Sequence, residues 1–438
     1  MKKVIVACLL SLTCLLCGCS MLSLESSNIM CPPKATGNKA DIQKLIDKQT
    51  SGEYTLKYPK NGTNRSAIVT FDIDKDEEEE AVAFYSDKKN DHIHALFVEC
   101  DDEDYSVVDD IVFDGAGIDR IEFCDIDNND SFEILIGYTT STSSQSTLNI
   151  YSYGKKIKQI DDSFGYSSLV AGDFNEDKRD DILLISLYSG DIASQAKLLL
   201  SDNNGGITEY GTVELDSDIT QLASVQYGQI SPDTYGAVID GISSTGDYTT
   251  QIVFFDNAQA MLLNPLFSYS GYSTTRRSTQ ICSLDFNNDE LIDIPICSLM
   301  GYDQTENAET VCRRIDWSNF DSKAYALNST VSTIICPADG YTITIPDKWD
   351  EAVTARYNKE TRETTVYVYE YVKNKLKITD TLLTIKAFSA DEYSKDSSGF
   401  IELANTGSTI YAYSIGEIDN YLSISGDEVK SLFSLVNQ

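Results

Sequence analysis

One nine-residue spacing of oxygen-bearing side chains recurs four times in this 438-residue chain. Positions 1, 3, 5 and 9 are Asp72, Asp74, Asp76 and Glu80; Asp125, Asp127, Asn129 and Glu133; Asp173, Asn175, Asp177 and Asp181; and Asp285, Asn287, Asp289 and Asp293. An apolar run follows each copy, as in Ile134-Leu135-Ile136. Three or four carboxylates this close together repel one another unless a cation sits between them. Ca²⁺ accepts six to eight oxygens in irregular geometry, and the backbone carbonyl at position 7 (Glu78, Ser131, Arg179, Leu291) would add another. Mg²⁺, which keeps more of its waters, suits the pattern less well. The same residues also form β-turns without any metal.

The copies begin at 72, 125, 173 and 285, at intervals of 53, 48 and 112 residues. The last interval holds two periods, so a fifth copy is expected near residue 228. There, Val225 to Gly236 keeps the flanking pattern, but Gly228, Ile230, Pro232 and Gly236 replace the ligands. A period of about 50 residues signals a repeat architecture. Each repeat reads as four strand-like runs, for example Arg120–Cys124, Glu133–Tyr138, Thr147–Tyr153 and Lys156–Asp161. Turn residues such as Gly154-Lys155 separate them. Four antiparallel strands per repeat describe a β-propeller blade, whereas stacked β-sandwich modules need roughly twice the length. The fold class expected is mainly β: about five propeller blades over residues 61–330, then a small α+β domain at 335–438.

The D-x-[DN]-x-D spacing with an acid at position 9 resembles the FG-GAP and VCBS repeats of integrin-type propellers. The resemblance covers roughly residues 65–328 and implies a calcium loop between the first and second strands of each blade. Position 6 departs from it. Gly is usual there, but this chain has Glu77, Asp130, Lys178 and Glu290. A left-handed backbone at a non-Gly residue costs about 1 kcal/mol.

Met1-Lys2-Lys3 followed by the apolar run Val4–Leu16 reads as a secretory signal, too short to span a bilayer. It ends in Leu16-Cys17-Gly18-Cys19, which resembles the lipobox of bacterial lipoproteins. That resemblance implies cleavage after residue 18, diacylation of Cys19 and anchoring at the extracytoplasmic face of the cell membrane. Residues 19–60 read as a tether with one short helix, whose apolar positions are 42, 45 and 46. Beyond Cys19 there remain seven cysteines and no C-x-x-C, which speaks against a zinc or thioredoxin-type site. Buried thiols and one or more disulfides both stay open.

With 69 acidic against 34 basic residues, the chain is unsuited to nucleic-acid backbones. It has two histidines, His92 and His94, on one face of a strand that reads as exposed. Arg276-Arg277 and Arg313-Arg314 read as ion partners for acidic surface, or as a ligand patch. Tyr367, Tyr369 and Tyr371 alternate along one strand face and suit packing on a neighbour or stacking on a ligand. The C-terminal part reads as five strands closed by a helix over Asp427–Asn437, and its Ile345-Pro-Asp-Lys-Trp349 entry loosely resembles PsbP/Mog1-like binding modules. No spaced nucleophile and base is legible. The function expected is a binding or assembly module for an extracellular protein or glycan. The alternative is an extracytoplasmic polysaccharide hydrolase or lyase using the central face of the propeller.

Overall fold

The computed structural model describes residues 37–88, 92–102, 104–129, 131–202, 206–267, 273–303, 305, 307–373 and 375–436. The signal segment, Cys19, Cys31 and Asp130 therefore lie outside the described residues. The chain is mainly β and divides into two compact units. One comprises the residues up to Tyr58, Ser66–Asp72 and Glu77–Phe113. The other comprises Pro59–Arg65, Ile73–Asp76 and everything from Asp114 onward.

In the first unit, helix α1 (Asn38–Thr50) ends where Ser51 turns left-handed. Its Ile42 and Ile46 are fully buried against Ile68, Ala83, Leu96 and Val98, as the spacing predicts. The sheet beneath has the order β1 (Tyr54–Leu56), β3 (Glu80–Asp87), β4 (Ile93–Asp101), β5 (Asp104–Phe113), and β2 (Ile68–Phe71) also pairs with β3. Strands β1 and β2 share one edge of β3, pairing Leu56 with Tyr85 and Ile68 with Ala83.

The second unit holds five antiparallel sheets. The second sheet is β6 (Gly117–Cys124), β7 (Glu133–Thr139), β8 (Ser146–Ser152), with β9 (Lys158–Gln159) and β10 (Phe164–Tyr166) on the outer edge. The third is β11 (Ser168–Gly172), β12 (Asp181–Ser186), β13 (Gln195–Ser201), β14 (Ile207–Glu214). The fourth is β15 (Ile219–Ser231), β16 (Thr234–Ser243), β17 (Tyr248–Asp256), β18 (Met261–Leu263). Strands thus occupy the four runs expected of the second repeat, the last of them only at Lys158–Gln159, and the third repeat has the same four-strand order. The cryptic repeat is also a sheet. With its acids gone, β15 and β16 run on into a tight hairpin that pairs Ser231 with Thr234 and Gly228 with Gly236.

These sheets pack face to face, and the packing explains their sequences. In β12, Ile182 and Leu184 join a core with Leu135 and Leu148 of the second sheet. Leu183 and Ile185 join a core with Ala237, Ile239 and Val253 of the fourth. Val238 and Ile252 turn the other way, toward Ile294 and Phe320. A strand buried on both faces must be apolar at every position, so the second strand of each repeat reads as a continuous run rather than an alternation. Each such side chain contributes about 1.5–3 kcal/mol by burial.

The fifth sheet runs β19 (Ile294–Leu299), β20 (Arg313–Asp321), β21 (Ala326–Cys336), β22 (Tyr341–Thr344) and finally β28 (Phe433–Leu435). Its inner strand is reduced to one bridge, Leu284 to Asp293. The sixth sheet has the order β23 (Val353–Asn358), β24 (Glu363–Val372), β25 (Lys375–Phe388), β27 (Ile410–Ile415), β26 (Ile401–Asn405). Two short helices, α2 (Ala390–Asp396) and α3 (Gly426–Leu432), each open with a Ser–Glu capping box. The helix expected over Asp427–Asn437 is thus only about two turns long, Gly426–Leu432. The chain then extends, pairing Ile343 with Phe433 and packing the Phe433 ring 5.4 Å from Tyr341. Edge pairing and aromatic contact outweigh helix propensity there. Strand β26 and helix α2 gave no clear apolar period.

Candidate metal centre

The four acidic loops join the first and second strands of their repeats, and the structure gives them a common backbone. Position 4 is left-handed in all of them: Lys75 (φ 61°), Asn128 (55°), Glu176 (61°) and Asn288 (60°). Position 6 is left-handed at Glu77 (77°), Lys178 (69°) and Glu290 (71°). The side chains at position 2 point inward: Ile73, Ile126 and Phe174 are buried, and Phe286 stacks on Trp317 at 4.5 Å.

Five backbone N–H bonds of the third repeat recur in the fifth. Asp173 accepts from the N–H groups of Asp177 (3.0 Å) and Lys178 (2.8 Å), and Asp285 accepts from Asp289 and Glu290 (both 3.0 Å). Asn175 and Asn287 accept from Asp177 and Asp289 at 3.0 and 3.1 Å. Asp177 and Asp289 accept from Arg179 and Leu291, both at 3.0 Å. The ninth-position acid caps the turn through position 2, with Asp181 accepting from Phe174 (2.9 Å) and Asp293 from Phe286 (3.0 Å). Glu133 does the same with Ile126 (3.0 Å). In the first repeat, the Glu77 N–H reaches Asp72 at 3.2 Å.

The ninth-position acids are all buried: Glu80, Glu133, Asp181 and Asp293 expose 0–2% of their surface. Burial pushes Glu133 and Asp181 up to about 7 despite the position-2 N–H bonds, and the neighbouring loop acids push the same way. Asp293 is raised for the same reasons. Glu133 Oε1 and Asp125 Oδ1 are buried and accept no hydrogen bond from the described residues. A buried carboxylate oxygen without a donor is where a cation fits.

The loops differ in what neutralises them. At 285–293, carboxylate oxygens of Asp285, Asp289 and Asp293 lie within 4.8 Å of one another. That is the span of oxygens on opposite sides of a Ca²⁺ held at about 2.4 Å. In the second loop a lysine stands at the edge of the acids. The Lys75 ammonium is 2.8 Å from Asp125 Oδ2 and 3.0 Å from the Asn129 carbonyl, and it lies over the Phe132 ring. In the third loop, the Arg179 guanidinium grips Asp177 through Nε and Nη2 and holds that carboxyl below its usual range. Asp289, by contrast, is held low by the Asn287 amide, the Leu291 N–H and Asn319, which outweigh its burial. Asp72 and Glu80 belong to the first unit, and Asp74 and Asp76 to the second. The spacing alone did not separate these cases, because Lys75 and Arg179 read as ordinary loop charges.

A second backbone feature ties each loop to the one before it. The N–H at position 8 donates to the preceding repeat: Phe132 to Ile73 (2.8 Å), Asp180 to Asp125 (2.8 Å) and Ile292 to Gln229 (2.9 Å). The cryptic repeat substitutes the Tyr227 hydroxyl, which reaches the Asp173 carbonyl at 2.6 Å. Only a glycine at 172 leaves room for that ring.

The inner strands β6, β11 and β15, with Asn61–Arg65, enclose a cavity of about 720 Å³. Arg65, Arg120, Glu122, Asp180 and Gln226 bring polar groups to it. Burial raises both Glu122 and Asp180. The repeat period located these strands, but nothing in the sequence marked Glu122.

Other expectations are corrected. His94 is not on an exposed face: it stacks on Tyr85 (4.6 Å, 13°), with Nδ1 3.1 Å from Asp110, while His92 is exposed. Arg276 does pair with Asp218 and Asp247, and Arg314 with Asp316 and Asp350. Arg277 is instead fully buried with Asp240 (2.8 Å). The tyrosine comb is broken by register shifts after Val366 and Val368, which leave Tyr371 65% exposed.

No family model matches the chain, and no curated protein matches it in sequence. Solved structures that resemble it include a protein from Lactobacillus plantarum (10% identity, TM-score 0.32, covering 73% of this chain and 85% of that one). Another is the exotype rhamnogalacturonan lyase YesX (11%, 0.30, 72% and 63%). A third is the Dos1 propeller (9%, 0.30, 83% and 90%). At these TM-scores the likeness carries no argument about function.

Proposed function

We propose that this chain is a surface-anchored lipoprotein whose repeats form a calcium-stabilised β-propeller, serving as a binding or assembly module for an extracellular protein or glycan. The observation that carries the metal part is the loop at 285–293. Its three converging carboxylates, Asp285, Asp289 and the buried ninth-position Asp293, form no ion pair with a lysine or arginine among the described residues. Asp285, Asn287, Asp289 and Asp293 would hold Ca²⁺ there, with the Leu291 carbonyl. At the second loop, Asp125, Asp127, Asn129 and Glu133 would do so in competition with Lys75. The cation would offset repulsion among the acids and stabilise the fold by linkage. Lipid attachment at Cys19 would place the module outside the membrane, and the polar cavity inside β6, β11 and β15 is the ligand site we favour.

The test is thermal melting of the chain in Ca²⁺ and in EGTA. Calcium is expected to raise the melting temperature of the native chain, and the increment should shrink in Asp289→Asn. An unchanged melting temperature in the native chain sinks the proposal.

One observation favours a second reading. Glu122 and Asp180 line the cavity with raised proton affinity, which suits a general acid in polysaccharide hydrolysis or lysis. Turnover of an acidic polysaccharide that Glu122→Gln abolishes would establish it. Equal turnover in the variant would dismiss Glu122.

A further inference from the structure

Six cysteines fall among the described residues, and all are thiols. Two of them, Cys312 and Cys336, share one buried core. The β20–β21 ladder ends with Arg313 opposite Ile335, and continuing that register by one residue sets Cys312 opposite Cys336. The Cys312 N–H donates to the Ala355 carbonyl (3.0 Å) and its carbonyl accepts from Met300 (3.2 Å). The Cys336 carbonyl accepts from Gly340 (2.9 Å). The backbone groups of Cys312 thus turn away from Cys336, as in a non-hydrogen-bonded pair. In such a pair the Cα atoms stand about 4.5 Å apart with both side chains on one face. That separation is inside the range of about 4.4–6.8 Å that a disulfide requires. Both side chains are buried in one core with Tyr341, Trp349 and Ala355. The other four thiols have no such partner across a ladder among the described residues.

We propose that Cys312 and Cys336 form a cross-strand disulfide, made by thiol–disulfide exchange while the chain folds. The bond closes where the last repeat's sheet continues into the C-terminal core. In the first step one cysteine thiolate attacks a sulfur of an oxidised dithiol or of glutathione disulfide, releasing one thiol. The second cysteine thiolate then displaces the remaining thiol. The cysteine pair loses two electrons and two protons, and the exchanging disulfide becomes two thiols. Exchange needs a thiolate and access to it. In the folded chain burial, together with Cys336, pushes Cys312 up to about 12, and Cys336 is raised as well. The bond therefore has to form before the core closes over it.

The test uses the full chain, reduced and unfolded, then refolded in a mixture of reduced and oxidised glutathione. Alkylation in denaturant and mass spectrometry of the digest should then find a peptide joined through 312 and 336. Cys100, Cys124, Cys282 and Cys297 should be alkylated. The native chain placed in the same buffer should acquire the link at least about tenfold more slowly. Reductant should lower the melting temperature of the linked chain by about 5 °C and leave a Cys312→Ala/Cys336→Ala double variant unmoved. Equal alkylation of all six cysteines, a link to any other cysteine, equal rates from native and unfolded chain, or an equal response in the variant would each overturn the proposal.

Discussion

Asp181→Asn is expected to stabilise this protein when no calcium is present, and to do so more at high pH. Asp181 is 2% exposed and its proton affinity is raised to about 7 by burial, against an unfolded value near 3.8. A carboxyl whose folded value lies above its unfolded one binds protons more tightly in the folded state. Ionising it then costs stability, nothing below pH 3.8 and progressively more up to about pH 7. At about 1.4 kcal/mol per unit, the cost is roughly 2 kcal/mol at pH 5.5 and roughly 4 kcal/mol at pH 8, as an upper bound. Asparagine keeps an oxygen for the Phe174 N–H and carries no charge. Its buried amide N–H groups cost about 1–3 kcal/mol if they find no acceptor, but that term does not vary with pH. Urea unfolding of native chain and variant in EGTA, at pH 5.5 and pH 8, isolates the pH-dependent part. The variant should gain about 2 kcal/mol on the native chain between the two conditions. A stability difference that is the same at both pH values refutes the claim that the buried carboxylate is a liability without a cation.

Further outcomes follow from the loops and the core. Arg277→Met should cost about 3–5 kcal/mol in urea unfolding, because it strands the fully buried Asp240, which also accepts from Thr250 and Ser283. Glu290→Gly should stabilise by up to about 1 kcal/mol, since position 6 is left-handed; Lys178→Gly should do the same, and the two gains should add. Lys75→Met should strengthen calcium binding by the second loop, read as a larger calcium-dependent melting shift than in the native chain. No change would mean that the ammonium does not compete there.

How far the sequence carried the fold depended on which interactions are local. The period, the strand runs at 120–124, 133–138 and 147–153, and the cryptic sheet near 228 were all legible. Each follows from a repeated apolar run between turn residues. The buried ninth acid was marked only as a ligand. Its second role, capping the N–H of position 2, emerges from loop geometry that spacing does not encode. Lys75 was missed because its partner Asp125 lies 50 residues away, and Arg179 because spacing does not show that its side chain folds back onto Asp177 within the loop. The end of the chain was misjudged because Val429, Leu432 and Phe433 have helical spacing, yet Phe433 is taken by the edge of β22. His94 looked exposed because alternation alone does not reveal that Tyr85 and Asp110 flank it.

The N–H at position 8 has a consequence for how the array comes apart. Each link grips a backbone carbonyl of the preceding repeat, from the backbone N–H of Ile292 back to Gln229, of Asp180 back to Asp125 and of Phe132 back to Ile73, and from the Tyr227 hydroxyl back to Asp173. The cryptic repeat lost its acids and kept both of its fastenings. Nearest-neighbour coupling therefore runs unbroken through a member without the acidic ligands, so the repeats are expected to behave as a linear Ising chain whose coupling term is separate from the field that any bound ion would supply. Were calcium bound as proposed, such a chain would shed ions one site at a time and still melt as a single cooperative unit.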